Sequence, residues 1–344
     1  MVLDGIALPG LFGVLAAAAT IVALAGTRLT ALADRLADRT GMGEAIAGAV
    51  LLGAATSLSG SVVSVTAAAD GLASLAFSNA VGGIAAQTAF LAVADLFYRR
   101  ANLEHASADL ANIYQAGLLT LMLGLPLAAA TGPDLAVLGL HPVTLVLPVI
   151  YLAGVRVGAR VRQAPMWRPV ATAQTRRDAP ETAADTGSGT LRLALRFALL
   201  ALVLALSGWT ISKTGGALSL RLGLSETAIG ALLTALATSL PELITTLAAV
   251  RRGAAQLAVG GIIGGNSFDV LFLSAADAAY RDGSLYHAVT GADLFWVAVG
   301  LVLNAVLILG LIVRQRAGPA GIGLESAAIL LLYLCGVAVQ LAMR

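Results

Sequence analysis

Shifted against itself by 182 residues, the chain matches without a gap over 36–106 and 218–288, with about 27 identities in 71 positions. About seven of these are Ala–Ala pairs and carry little weight in an Ala-rich chain. The rest include Arg39/Arg221, Gly41/Gly223, Glu44/Glu226, Gly48/Gly230, Thr56-Ser57-Leu58 against Thr238-Ser239-Leu240, and Gly82-Gly83 against Gly264-Gly265. The pattern Ala94-Asp95, Tyr98-Arg99, His105 recurs as Ala276-Asp277, Tyr280-Arg281, His287. A chain built this way repeats one structural unit.

Hydropathy says what the unit is. Ten apolar runs are long enough to cross a bilayer as helices of about 20 residues. They lie near 6–27, 45–69, 72–97, 113–130, 140–157, 193–211, 227–250, 254–279, 293–313 and 326–342. The runs are continuous and Ala/Leu-rich, which argues against an alternating membrane β-barrel. Only 12% of residues are charged and 58% are hydrophobic, against about 25% charged in soluble domains. This excludes an ordinary cytosolic enzyme, a nucleic-acid binder and a disordered chain. The expected fold is an all-α integral membrane protein of about ten transmembrane helices. The first copy begins in span two and the second in span seven. An odd number of spans separates them, so the copies enter the membrane from opposite sides. That is an inverted repeat of two five-helix halves, an arrangement that places substrate at the midplane between the repeats.

The expected domains are a first half at 1–157 with its repeat at about 41–106, a linker at 158–191, and a second half at 192–344 with its repeat at about 223–288. The linker is polar, with Arg160, Arg162, Arg168, Arg176 and Arg177, and reads as flexible. With both termini outside, the cytoplasmic loops, including 158–191, hold about 17 of the 21 Lys and Arg residues. The positive-inside rule favours that orientation in a plasma (inner) membrane. The lone Cys335 excludes a disulfide framework and a Cys-based metal site. Asp4 and the missing basic n-region predict no cleaved signal peptide.

Polar residues at membrane depth are costly and mark function. The second repeat reads Ala237-Thr-Ser-Leu-Pro-Glu-Leu243 and then Gly264-Gly-Asn-Ser-Phe-Asp-Val270. Pro241 removes a helix hydrogen bond and predicts a helix break with a freed carbonyl. Thr238 and Glu242 share a helix face, and Asp269 lies mid-span where it can face them. Carboxylates, hydroxyls and carbonyls are hard oxygen ligands suited to Ca²⁺ or Na⁺. No Lys or Arg lies near the middle of any span to neutralise these acids. Asn266 and Ser267 serve either as ligands or as helix-to-helix hydrogen-bonding groups. The glycine pairs favour close helix approach.

These residues carry a resemblance. Ala-Thr-Ser-Leu-Pro-Glu followed by Gly-Gly-Asn-Ser-Phe-Asp, with Leu222-Gly-Leu-Ser-Glu-Thr-Ala-Ile-Gly230 ahead of it, resembles the second alpha-repeat of the cation/calcium exchanger superfamily, the family of Na⁺/Ca²⁺ antiporters. The resemblance implies a secondary cation antiporter and not an enzyme. It implies Ca²⁺ and Na⁺ (or H⁺) as transported substrates rather than cofactors. It implies cation-binding roles for Thr238, Ser239, Glu242 and Asp269, with first-repeat counterparts Thr56, Ser57, Gly60 and Gln87. Two departures stand out: the family's usual Pro-Glu is Ser59-Gly60 here, and Gly82-Gly83-Ile84 replaces Gly-Ser-Asn. The expected pocket therefore holds two carboxylates, Glu242 and Asp269.

Asp95/Arg99 and Asp277/Arg281 stand at i,i+4. They are read as surface helix pairs or as a matched pair of gates, one at each mouth. His105 and His287 are read as solvated loop histidines. Glu44 and Glu226 are read as helix N-terminal charges. The partners expected are the lipid bilayer and inorganic cations, without nucleic acid; a homo-oligomer is left open. Other readings are a transport-impaired relic acting as a cation sensor or scaffold, an exchanger of other cations, and a channel. An intramembrane enzyme lacks a nucleophile–base pair or a His/Asp metal site in the repeat spans, and no Walker-A sequence suggests ATP-driven transport.

Overall fold

The structure is a computed structural model and describes residues 5–40, 54–98, 101–137, 140–172, 190–318 and 321–343. Among these the chain is helical, with a single isolated bridge between Val137 and Leu140. The first half contains α1 (Leu8–Thr40), α2 (Leu58–Ala69), α3 (Ala73–Phe97), the short α4 (Leu103–Ser107), α5 (Leu110–Thr131) and α6 (Pro142–Gln163). The second contains α7 (Thr190–Leu222), α8 (Glu226–Thr238), α9 (Leu240–Arg252), α10 (Ala255–Asp269), α11 (Leu271–Ala279), the short α12 (Leu285–Ala288), α13 (Gly291–Val313) and α14 (Leu324–Ala342). Among the described residues, eight helical stretches are long and apolar enough to span a bilayer, and α8 with α9 forms a ninth, bent by 47°. The expected second span, 45–69, is represented by the helical residues 54–56 and, after the break at Ser57, by α2; its earlier part, 45–53, lies outside the described residues.

Three boundaries differ from the hydropathy reading. Helices α1 and α7 each run 33 residues, about 50 Å at 1.5 Å per residue and longer than the bilayer's ~30 Å apolar core. The flanking segments are rich in Ala, Leu and Arg, which extend a helix past its apolar run. Helix α6 likewise carries Arg156, Arg160 and Arg162 to Gln163, so the interhalf loop begins later than expected. Its first residues dock: Arg314 donates to the Val170 carbonyl at 2.8 Å, and Thr172 Oγ1 meets His105 Nε2 at 2.9 Å. Pro126 and Pro148 lie inside α5 and α6, whereas Pro142 takes the first turn of α6, where its missing N–H has no intrahelical partner to lose.

Packing repeats as the sequence does. Helix α2 lies on α7, as α9 lies on α1; α3 packs against α13 and α14, as α10 and α11 pack against α5 and α6. Helices α1 and α7 pair with each other beside this core. Helix α3 is buried along nearly its whole length and forms the centre. The six-residue π-helical stretch Ile229–Thr234 of α8 crosses it. At that crossing Gly82 and Gly230 have no room for a Cβ: one would run into the Ala231 backbone and the other would meet the Leu75 carbonyl at 2.9 Å.

The same offset governs the ends of the bundle. Asp95 accepts from the Leu103 and Gly323 amides at 2.7 and 2.8 Å. Asp277 accepts from the Leu285 amide at 2.8 Å, the His141 amide at 3.1 Å and Thr144 Oγ1 at 2.6 Å. His141 and Gly323 are the N-caps of α6 and α14 and stand 182 apart, like Leu103 and Leu285. Each carboxylate therefore ties the end of one span to the start of another. The i,i+4 ion pair expected at Asp277 and Arg281 is not formed, because backbone amides have captured the acid; Arg99 lies outside the described residues. The histidines are not free in solvent either. His105 Nδ1 lies 2.7 Å from the Arg314 carbonyl, and His287 Nε2 lies 3.1 Å from the carbonyl of Gly132, again 182 away.

Candidate functional site

The site sits where two helices break. Ser57 precedes α2 with φ −95° and ψ 5°. Ser239 separates α8 from α9 with φ −92° and ψ 5°. The two breaks are the same conformation at repeat-related positions, yet only one is followed by a proline. Pro241 occupies the first turn of α9, where it costs no hydrogen bond. Proline is thus compatible with the break and not its cause.

Each break is backed by a glycine of a long helix. A Cβ on Gly26 of α1 would lie 2.5 Å from Pro241 Cγ, and one on Gly208 of α7 would lie 2.5 Å from the Ser59 carbonyl oxygen. The α1–α7 pair therefore rests directly against the first turns that carry the site.

Between the breaks lies a small cavity of about 10 Å³, lined by Ser57, Gly60, Asn79, Gly83, Gln87, Thr238, Ser239, Glu242, Asp269 and Phe272. That volume is at the lower limit for one water. Six of the eight positions singled out from the sequence and its resemblance are on this wall besides Gly60: Ser57, Gln87, Thr238, Ser239, Glu242 and Asp269. Thr56 is half-buried behind it. Asn266 is set back as well, donating to Thr88 Oγ1 at 3.0 Å. The sequence reading missed Asn79 and Phe272, and took Gly83 only as a packing glycine. Asn79 carried a signal, an amide in the middle of an apolar run. It joins three elements by donating to the Gly60 carbonyl and Ser64 Oγ, each at 3.0 Å, and accepting from Thr234 Oγ1 at 2.8 Å. Phe272 carried no signal, being one more apolar residue in an apolar run.

The geometry follows the pseudo-two-fold. Gln87 and Asp269, 182 positions apart, meet each other: Gln87 Nε2 donates to Asp269 Oδ2 at 2.7 Å and to Ser239 Oγ at 3.1 Å. Ser57, the counterpart of Ser239, faces Asp269. Glu242 and Asp269 are 5% and 2% exposed, and no Lys or Arg lines the cavity. Four buried oxygens on this wall have no hydrogen-bond partner: Ser57 Oγ, Gln87 Oε1, Glu242 Oε2 and Asp269 Oδ1. Acceptors gathered in low dielectric without donors are strongly unfavourable unless a cation or a proton joins them. Their chemistry is that of a hard-cation site with oxygen ligands, made of two carboxylates plus amide and hydroxyl groups. Among the described residues no group of three or more His, Cys, Asp or Glu converges in a way that could hold a metal ion, so neutral oxygens must complete any coordination shell.

Comparison with known proteins agrees with this architecture. The family model described as Sodium/calcium exchanger protein matches residues 10–153 and 192–342. The inner membrane protein YrbG of Escherichia coli (strain K12) is 41% identical over 66 residues, 19% of this chain and 18% of that protein. The chain thus aligns with less than a fifth of that relative's length. The crystal structure of the H⁺/Ca²⁺ exchanger CAX superposes with a TM-score of 0.68 at 16% identity, covering 97% of this chain and 82% of that one. The sodium-calcium exchanger NCX_Mj superposes with a TM-score of 0.61 at 18% identity, covering 97% and 99%. These likenesses establish the fold, an all-α multi-spanning membrane architecture with an inverted repeat. With the family model matched across both halves, the chain belongs to the sodium/calcium exchanger protein family.

Proposed function

We propose that the protein is a secondary antiporter that exchanges Ca²⁺ for Na⁺ or H⁺ at the site between the two helix breaks. The observation that carries this reading is the set of donor-less oxygens of Glu242, Asp269 and Gln87 around one small cavity. Two carboxylates balance one Ca²⁺. After its release, two Na⁺ or two protons restore the same charge balance, which low dielectric demands. Exchange then follows from electrostatics: a site that is costly when empty favours crossing only when loaded. Thr238, Ser239, Ser57 and Gln87 supply neutral oxygens, while Thr56 and Asn266 support the wall from behind.

Alternating access is assigned to the α1–α7 pair moving over the repeat core, with Gly26 and Gly208 letting backbone slide past Pro241 and Ser59. The charge distribution supports a plasma (inner) membrane orientation with both termini outside and the 158–191 loop cytoplasmic. Domain halves at 1–157 and 192–344, each with one repeat, complete this reading.

The test is ⁴⁵Ca²⁺ uptake into proteoliposomes driven by an outward Na⁺ gradient or a pH gradient. Uptake that needs one of these gradients is expected, and Glu242→Gln or Asp269→Asn is expected to abolish it. Uptake undiminished in both variants would sink the site assignment. A second reading, a cation sensor without transport, draws on the missing first-repeat carboxylate at Gly60; cation binding with no flux in the same vesicles would select it.

A further inference from the structure

The repeat makes position 60 the counterpart of Glu242, so a third carboxylate has a defined place in this fold, and that place is filled. A Cβ built on Gly60 would lie 2.8 Å from Phe272 Cε2, 3.4 Å from Phe272 Cζ and 3.6 Å from Thr238 Oγ1. The first of these is shorter than real Cβ contacts allow, and a ring edge cannot yield as a flexible chain end does. Phe272 is 4% exposed and lines the cavity. Behind it Phe268 meets its ring edge-on at a centroid distance of 6.4 Å, and Tyr151 of α6 meets Phe268 at 5.8 Å. This stack leaves the ring little room to retreat.

The other half of the molecule supplies the control. The counterpart of Phe272 is Phe90, also a phenylalanine and also buried. Phe90 is not on the cavity wall, and Glu242, the position that the repeat pairs with Phe90 as it pairs Gly60 with Phe272, carries its carboxylate there. The residue type is the same in both halves; the position of the ring relative to the cavity differs, and the carboxylate exists only where the ring stays out.

We propose that Phe272 is a specificity-determining residue: its ring takes the place of a first-repeat carboxylate, holds the site at two negative charges, and so limits the load to one divalent cation or two monovalent ones. This rests on the exchange reading for its ions but not for its sterics. A larger load would need a further charge at position 60, and the packing forbids it while the ring is present.

Three variants test this: G60E, F272A and G60E/F272A. Each is purified whole in detergent and melted across CaCl₂ and NaCl titrations, which read binding without turnover. G60E alone is expected to melt several degrees below the wild type, and adding F272A is expected to recover most of that loss. In the double variant the Na⁺ dependence of stabilisation is expected to steepen by about one ion relative to the wild type. The charge moved per Ca²⁺ in vesicles should change with it. G60E melting like the wild type, or a stable double variant with unchanged Na⁺ steepness, overturns the proposal. If no form responds to either cation, the exchange reading falls and takes the ion-limiting role with it; G60E against the double variant still decides whether the ring occupies the space.

Discussion

The two halves of this molecule share a scaffold and differ in chemistry. Both break a helix at a serine with the same backbone angles. Both lay a glycine of a long helix on the turn that follows. Both use a buried aspartate to tie a short helix to the start of a distant span. Yet Glu242 faces Gly60, Asp269 faces Gln87, and Tyr286 stands where the first half has Glu104. The lesson is that the repeat keeps what holds the backbone in place, while the groups that line the cavity differ between its two copies. Scaffold positions are set by hydrogen bonds that any departure would strand. On the proposed exchange reading, site positions answer instead to the charge that the cargo must balance.

The largest expected effect tests the site half of that contrast. Neutralising Glu242 or Asp269 should eliminate exchange, whereas Gln87→Ala should weaken it and leave cation-dependent stabilisation measurable; equal losses in all three would make the halves equivalent after all. Next come the aspartate staples. Asp277→Ala strands three donors and Asp95→Ala at least two, at about 1–3 kcal/mol per stranded buried donor. Thermal melts in detergent should show both variants destabilised, Asp277→Ala the more. A surface ion pair would have cost under about 1 kcal/mol, so a near-silent Asp277→Ala would restore the ion-pair reading.

Glu104 sharpens the contrast through pH. It is 2% exposed, accepts from Ser326 Oγ at 2.6 Å and leaves Oε2 without a donor. Burial, reinforced by Asp95 and Glu325, pushes its carboxyl up to about 7. The folded state therefore keeps a proton that the unfolded chain loses near the ordinary glutamate value. Stability from this group is intact below about pH 4.5 and declines as pH rises through about 7. Glu104→Gln should match the wild type at low pH and exceed it at pH 8 by on the order of 1–3 kcal/mol. Tyr286→Phe, at the counterpart position, should show no such pH dependence in the same melts. The smallest effect is expected from Ser59→Pro, which copies Pro241 into the first half. Because the break is already present at Ser57, this variant should change stability by less than about 1 kcal/mol and leave flux intact. A loss comparable to that of a helix-interior proline, about 3 kcal/mol, would show that the two breaks are not equivalent.

Hydropathy and self-similarity were enough to read the all-helical membrane class, the inverted repeat and the two acids that prove buried, because each is a property of residue order. A buried acid in an apolar run has few explanations, and a 182-residue offset survives any folding detail. What sequence alone misread depended on partners far along the chain. Asp277 looked like a surface ion pair because Arg281 is four residues away, but its partners are His141 and Thr144, 136 and 133 residues away. Pro241 looked like the cause of a break that Ser57 makes without it.

The sequence by itself determined that one half lacks a carboxylate: glycine at position 60 is visible without any structure. Only the tertiary structure decided what that absence means. The position is filled from a different helix, by an aromatic ring whose repeat-related twin stays away from the cavity. Side-chain chemistry is written residue by residue, but occupied volume belongs to whichever atoms arrive there, and no local pattern in the chain records that Phe272 does.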